Sequence, residues 1–386
     1  MDVRLLWLAL GAFAGSVESS LVVSVLPAIS AETGVSIAQA GYVVVFYSIA
    51  YGIGTPLLTT LFGAVDRRRV VAGAELLFGL AAILFGLLPG FALILVARTM
   101  LALGAGLFTS TAQSTAVALA APGRRGRAVS TVVMGGSIAV AVGAPLGALV
   151  AELYGWRVAY VGLGLIAVFA SATMWLKLPH DIHGDKRSLR ERLALLGIRG
   201  VPMTLLSSAL GAFAMFVALT YLAPITTQLI GLGQSMMPTV LLAFGIGALG
   251  GNFIGGYLVD RIGARSTMVA ILGGMIFELA AIDLIALLPA AAVVPVYLVH
   301  MAIFGVVTWA YFPSQISRLA VLAPASVPLA ASLNLTAMNL GGALSALAGG
   351  VALEQLGVAS LGWLGAAGAV AAMVVTVLAP DRPDPK

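Results

Sequence analysis

Cysteine is missing from all 386 residues, which excludes disulfides, thiol catalysis and cysteine-held metals. Histidine is nearly missing. There are three, two of them (His180 and His183) in one polar stretch, so no metal or other cofactor is expected. Charge is scarce as well, at 9% of residues, where a soluble domain carries about 25%. A water-facing enzyme and a disordered chain are both poor fits. What fills the gap is a composition that is 61% hydrophobic, with a mean hydropathy of +1.08. This is the make-up of a polytopic membrane protein, and no enzyme activity is expected of it.

A helix that crosses a bilayer needs about 20 apolar residues. Twelve such runs can be counted, over roughly 5–27, 38–62, 70–89, 91–117, 129–152, 157–177, 202–230, 236–258, 266–288, 291–313, 325–352 and 358–379. Of the twenty Lys and Arg, eighteen lie at the N-terminus, in the turns after even-numbered runs, in the central loop or at the C-terminus. The positive-inside rule makes those segments cytoplasmic, with both termini inside. The high pI of about 9.7 therefore reflects a lipid bilayer as partner, not nucleic acid. Arg4, the first apolar run and Ala12-Phe13-Ala14 fit a cleaved signal peptide in part. The run continues through Pro27, however, and is read as a retained first helix.

Between the eighth and ninth runs stands a charged turn, Gly256-Tyr257-Leu258-Val259-Asp260-Arg261-Ile262-Gly263-Ala264-Arg265. Asp260 and Arg261 are costly in hydrocarbon, so the turn belongs at a membrane face. Asp66-Arg67-Arg68-Arg69 takes a similar place in the first half, and Glu152-Leu-Tyr-Gly155 is echoed by Glu354-Gln-Leu-Gly357. The chain is built twice. The pattern Gly-x-Leu-x-Asp-Arg-x-Gly-x-Arg, carried by Gly256, Asp260, Arg261, Gly263 and Arg265, resembles the signature loop of major facilitator transporters. In the first half that loop is degenerate, with Gly63 where the family has its acid. The resemblance implies an all-α membrane fold of two pseudo-symmetric six-helix bundles, residues 1–178 and 201–386, joined by a cytoplasmic linker over 179–200. A short linker helix capped by Ser188 is also expected. In such a fold the site lies near the midplane where the two bundles meet.

Within the runs, Glu18 is an acid in mid-span. An ionised carboxylate there costs several kcal/mol unless paired, hydrated or protonated, on the order of magnitude usual for buried charge. It is read first as a proton-coupling group, with a structural carboxylate bonded to Ser16 or Ser20 as the alternative. Chloramphenicol and sugar exporters of the drug:proton antiporter group resemble this chain in having an acid at that point. Arg98 opens Arg98-Thr-Met-Leu-Ala-Leu-Gly104-Ala-Gly106, which resembles the family's helix-4 arginine motif and implies a part in proton coupling; static bracing of helices is the alternative. Gly143-Ala144-Pro145-Leu146-Gly147 resembles the glycine-proline motif of antiporters. Glycines let helices approach, and proline removes a backbone hydrogen bond.

Other polar residues in apolar runs complete the candidates. Glu75 is expected to snorkel or pair with the nearby arginines. Glu278 is either buried against the bundle or a second proton-coupling site, and Asp283 lies further out. Tyr221, Asn252, Trp309, Tyr311, Asn334 and Asn339 join Glu18 as candidates for substrate binding, and His300 is read as a structural residue. Asn334 and Asn339 ahead of Gly341 and Gly342 resemble a stretch of the nucleoside and sugar exporters. Gly245-Ile-Gly247-Ala-Leu-Gly250 spells a dinucleotide fingerprint, but no strand precedes it, so that reading falls.

The expected function is export of a small drug or metabolite in exchange for protons, by a monomer in a bacterial inner membrane. A proton-coupled importer, a lipid flippase and a membrane receptor are the alternatives.

Overall fold

The computed structural model describes residues 3–121, 124–180, 182 and 189–380. Ser188, His183 and the tail from Asp381 to Lys386 lie outside the described residues, and with them the expected Ser188 cap. Among the described residues twelve helices are long and apolar enough to cross a membrane, and the protein is a multi-pass membrane protein. They are numbered α1 (Arg4–Thr33), α2 (Ile37–Leu61), α3 (Arg67–Leu87), α4 (Phe91–Leu119), α5 (Gly126–Tyr154), α6 (Trp156–Lys177), α7 (Val201–Thr220), α8 (Gln234–Ile262), α9 (Ala264–Ala286), α10 (Ala291–Leu322), α11 (Val327–Leu356) and α12 (Ser360–Leu378).

Several boundaries differ from those the apolar runs imply. Helix α1 does not stop at Pro27 but continues to Thr33, with the proline inside it, because in a packed membrane helix neighbouring groups can satisfy the carbonyl that proline frees. Helix α10 likewise runs past Pro313 to Leu322. Where Pro145 cannot donate to the carbonyl of Ala141, α5 widens into a π-helical turn, Ala139–Gly143. A second π-turn, Ile225–Leu229, follows Pro224 just beyond α7.

Residues 1–28 and 46–189 form one compact unit, and residues 29–45 and 190–386 a second. In the first, α3 packs along both α4 and α6. A Cβ added at Gly135 of α5 would land on the backbone of Ala9, and Gly143 faces Phe13 and Val17. The glycines of α5 thus hold it close against α1, the helix that carries Glu18. In the second unit α8 packs along α10, α7 along α11 and α12, and α9 along α10 and α12.

The internal repeat is visible in the backbone. Gly155 (φ 92°, ψ 150°) and Gly357 (φ 85°, ψ 173°) end corresponding helices in the same conformation, one open essentially to glycine alone.

Candidate functional site

Three polar side chains that cannot be left alone in an apolar interior meet in the first unit. Glu18 of α1 is 0% exposed and Arg98 of α4 is 1% exposed; the two form an ion pair. The hydroxyl of Tyr160 on α6 donates to Glu18 Oε1 at 3.1 Å. Aromatic rings complete the enclosure. The Arg98 guanidinium lies 4.2 Å from the centre of the Tyr47 ring, a distance at which the ring face attracts a cation, and Phe85 lies 4.3 Å from Tyr160. Ser16 and Ser20 do not hold Glu18. The Ser20 hydroxyl bonds back to the carbonyl of Ser16, as serines in helices commonly do.

Glu75 departs from its expected place. It neither snorkels nor meets the arginines of the preceding turn: it is 1% exposed, faces Gly11 of α1, and its Oε1 has no hydrogen-bond partner among the described residues. The ring of Phe108 on α4 faces the same glycine. Asp66 instead caps α3, accepting from the Arg68 amide at 3.0 Å.

In the second unit Glu278 of α9 and His300 of α10 are both buried, and Glu278 Oε2 lies 2.7 Å from His300 Nδ1. Asp283 faces the Trp363 side chain. Tyr311 and Tyr221 spend their hydroxyls on backbone carbonyls, Tyr311 on Ser207 at 3.0 Å and Tyr221 on Ala346 at 2.6 Å. The Asn334 amide donates to Gln315 Oε1 at 3.0 Å, whereas Asn339 bonds to Leu335 of its own helix at 2.9 Å. Trp309 stacks at a tilt on Phe312, 5.4 Å away, and Asn252 is half-buried.

The charged turn closes α8. Asp260 and Arg261 are exposed, Arg261 lies over the Tyr257 ring, and Arg265 donates to the carbonyl of Val377. Gly263 makes the bend with φ 83° and ψ 158°.

Sequence reasoning found Glu18 and Arg98 as separate residues but missed Tyr160 and Tyr47, which carry no signal beyond being aromatic residues in apolar runs. Arg318 is one of the eighteen basic residues that sequence reasoning counted in cytoplasmic segments, with no other part assigned to it. Arg318 is buried and donates to the carbonyls of Ala379 at 3.1 Å and Pro380 at 3.3 Å, satisfying acceptors that the end of α12 leaves open.

Comparison with known proteins agrees with this architecture. The profile of the Major Facilitator Superfamily matches residues 8–327. The chain is 32% identical to the uncharacterized MFS-type transporter YbcL of Bacillus subtilis, over 96% of this chain and 94% of that one. It is 28% identical to the inner membrane transport protein YdhP of Escherichia coli (92% and 90%), and 27% identical to a chloramphenicol resistance protein of Streptomyces lividans (99% and 97%). Among solved structures, it is similar to a bacterial homologue of the human lysosomal transporter Spinster in an inward-facing, occupied conformation. The TM-score is 0.65 at 18% identity, covering 97% of this chain and 93% of that one.

Proposed function

Because this chain belongs to the Major Facilitator Superfamily, a family of transporters, we propose that it exports a small drug or metabolite in exchange for protons, by alternating access. The observation that carries this reading is the buried Glu18–Arg98–Tyr160 cluster. A buried carboxylate and guanidinium stabilise a protein little, because the cost of desolvating both offsets their attraction. A membrane helix that keeps such a pair has a use for its charge. When Glu18 takes up a proton, its ion pair with Arg98 is lost, so proton binding carries a conformational consequence. Substrate binding when Glu18 is ionised and proton entry from outside would then alternate.

The direction of transport and the drug class draw support from the glycine-proline turn of α5 and from the chloramphenicol resistance protein among the relatives. Trp309, Asn252 and the Asn334–Gln315 pair are the groups proposed to meet substrate. In Asn334 and Gln315 a buried Oδ1 and a buried Nε2 have no hydrogen-bond partner among the described residues, so one acceptor and one donor remain for a neutral polar solute. Glu278 is proposed as a further proton-coupling residue. The test uses everted vesicles with an acidic interior, to which chloramphenicol, nucleosides, sugars and lipophilic cations are added separately. Export predicts that one compound discharges the gradient in the wild type and not in Glu18→Gln present at equal amount. If no compound acts on the wild type and solute instead accumulates with protons in right-side-out vesicles, the chain is an importer.

A further inference from the structure

We propose that Tyr47 is the substrate contact of the first unit, a ring that takes a neutral aromatic solute on its open side while Arg98 holds it from within. This rests on the reading of the chain as an exporter and names the class of solute. Glu18, Arg98, Tyr160 and Phe85 are each at most 1% exposed. Tyr47, whose ring centre lies 4.2 Å from the Arg98 guanidinium, is only half-buried. Of these five side chains it alone has surface to offer.

What surrounds that surface is polar. The Tyr47 side chain faces Ser19 of α1, the residue after Glu18. Ser19 is exposed, alone among residues 7–27, and one turn away a Cβ added at Gly15 would meet nothing within 4 Å. Polar residues inside membrane spans face the bundle interior or water, and an exposed serine on an otherwise covered helix is not in the interior. On α2, Tyr51 stacks on Tyr47 with ring centres 5.7 Å apart and faces Thr109 of α4. Gln113, one turn further along α4, is exposed. Thr109 is nine residues from the exposed Met100, about 2.5 turns, which puts it on the opposite side of α4. Three helices thus bring polar groups to one face, away from the side of α4 that is exposed and apolar.

The ring selects what it meets. The Arg98 guanidinium already draws on its π-electrons, and a second cation on the same ring is opposed by the first. A neutral ring is under no such opposition and packs on tyrosine by offset or edge contacts. Helix α2 contains no Asp, Glu, Lys or Arg, α4 contains only Arg98, and the charges of α1 besides Glu18 are Arg4 and Glu32 at its ends. Nothing else on this face therefore calls for a charged solute. The Ser19 and Thr109 hydroxyls donate to carbonyls of their own helices, at 3.0 and 2.8 Å, and keep the capacity to accept. The Gln113 amide both donates and accepts, so polar substituents on the solute's ring have partners. The solute and the buried ion pair then meet at one ring, the solute on its open side and Arg98 beneath it.

Because the chain has no cysteine, Ser19→Cys places a single thiol beside the ring. The full-length protein in lipid nanodiscs is labelled with a charged, water-soluble maleimide, alone and with chloramphenicol, adenosine, galactose or tetraphenylphosphonium. The expected result is labelling that chloramphenicol or adenosine slows and that galactose and tetraphenylphosphonium leave unchanged. With Tyr47→Phe added, protection persists; with Tyr47→Leu, the same protection takes about tenfold more compound, the loss of one aromatic contact. A thiol that never reacts closes the face and overturns the proposal. So does protection by the sugar or the cation as strong as by the aromatic compounds, protection by none of the four, or protection unchanged by Tyr47→Leu. Ser19→Cys alone decides whether the face is open and which class it takes, even if Tyr47→Leu folds poorly. No proton gradient is used, so failure of the export reading and failure of this site are separate outcomes.

Discussion

Replacing Glu18 by Gln removes one charge from a pair sealed inside the first unit. Arg98 then has no carboxylate, and a guanidinium has no neutral form to adopt. Breaking a buried pair from one side costs about 3–5 kcal/mol. The Tyr47 ring face stays beneath the guanidinium, and the amide oxygen of Gln keeps a hydrogen bond, so the low end applies, about 3 kcal/mol. At about 2–4 °C per kcal/mol for a unit of 150–250 residues, the apparent Tm should fall by about 6–12 °C. Arg98→Gln should cost less, because a carboxyl can become neutral by taking up a proton. The double variant Glu18→Gln/Arg98→Gln leaves two neutral amides and should recover much of the loss, with a coupling energy of at least about 1.5 kcal/mol. The assay is thermal melting of all four proteins in nanodiscs of one lipid composition at one pH. A double variant that melts at the sum of the two single losses would refute the claim that these side chains act as a unit. So would a Glu18→Gln protein that melts with the wild type.

Other substitutions follow from the packing. Gly135→Ala places a methyl against the backbone of Ala9, overpacking that costs about 1–3 kcal/mol; because it pushes on α1, exchange in everted vesicles should fall along with Tm. Gly263→Ala forces a side chain into φ 83° and should cost about 1–3 kcal/mol, whereas Gly273→Ala, with nothing within 4 Å of its Cβ, should melt within about 2 °C of the wild type. Arg318→Met leaves the carbonyls of Ala379 and Pro380 without their donor and should cost about 1–3 kcal/mol, read as a lower Tm and earlier proteolysis of the C-terminal end.

The fold was legible because its determinants are local in sequence. Each span is a continuous apolar run, and the turns after even-numbered runs carry their own arginines or lysine. Proline was the misleading signal. Pro27 and Pro313 read as helix ends, yet both lie inside helices, since packed neighbours can take over the backbone groups that proline frees. The site was legible in a different way. Sequence marks a residue that is expensive where it stands, as it did for Glu18, Arg98 and Glu278, but it does not say what relieves the expense. Glu18 and Arg98 are eighty residues apart, and Tyr160 is a further sixty-two along; only the packing of α3 against α4 and α6 and of α5 against α1 brings such positions together. His300 shows the cost of missing that step. Alone it read as a structural residue, yet its Nδ1 lies 2.7 Å from Glu278 Oε2 on the neighbouring helix. Glu75 is the opposite case, an acid whose buried Oε1 meets no hydrogen-bond partner among the described residues. A carboxyl in that position is tolerable only while it holds its proton, so Glu75 is best explained as a neutral group filling space between α1 and α4. On that reasoning Glu75→Gln, close in shape and lacking charge, should keep both the melting temperature and the proton exchange of the wild type. A Glu75→Gln protein that folds normally but no longer exchanges protons would move Glu75 from packing into the coupling machinery.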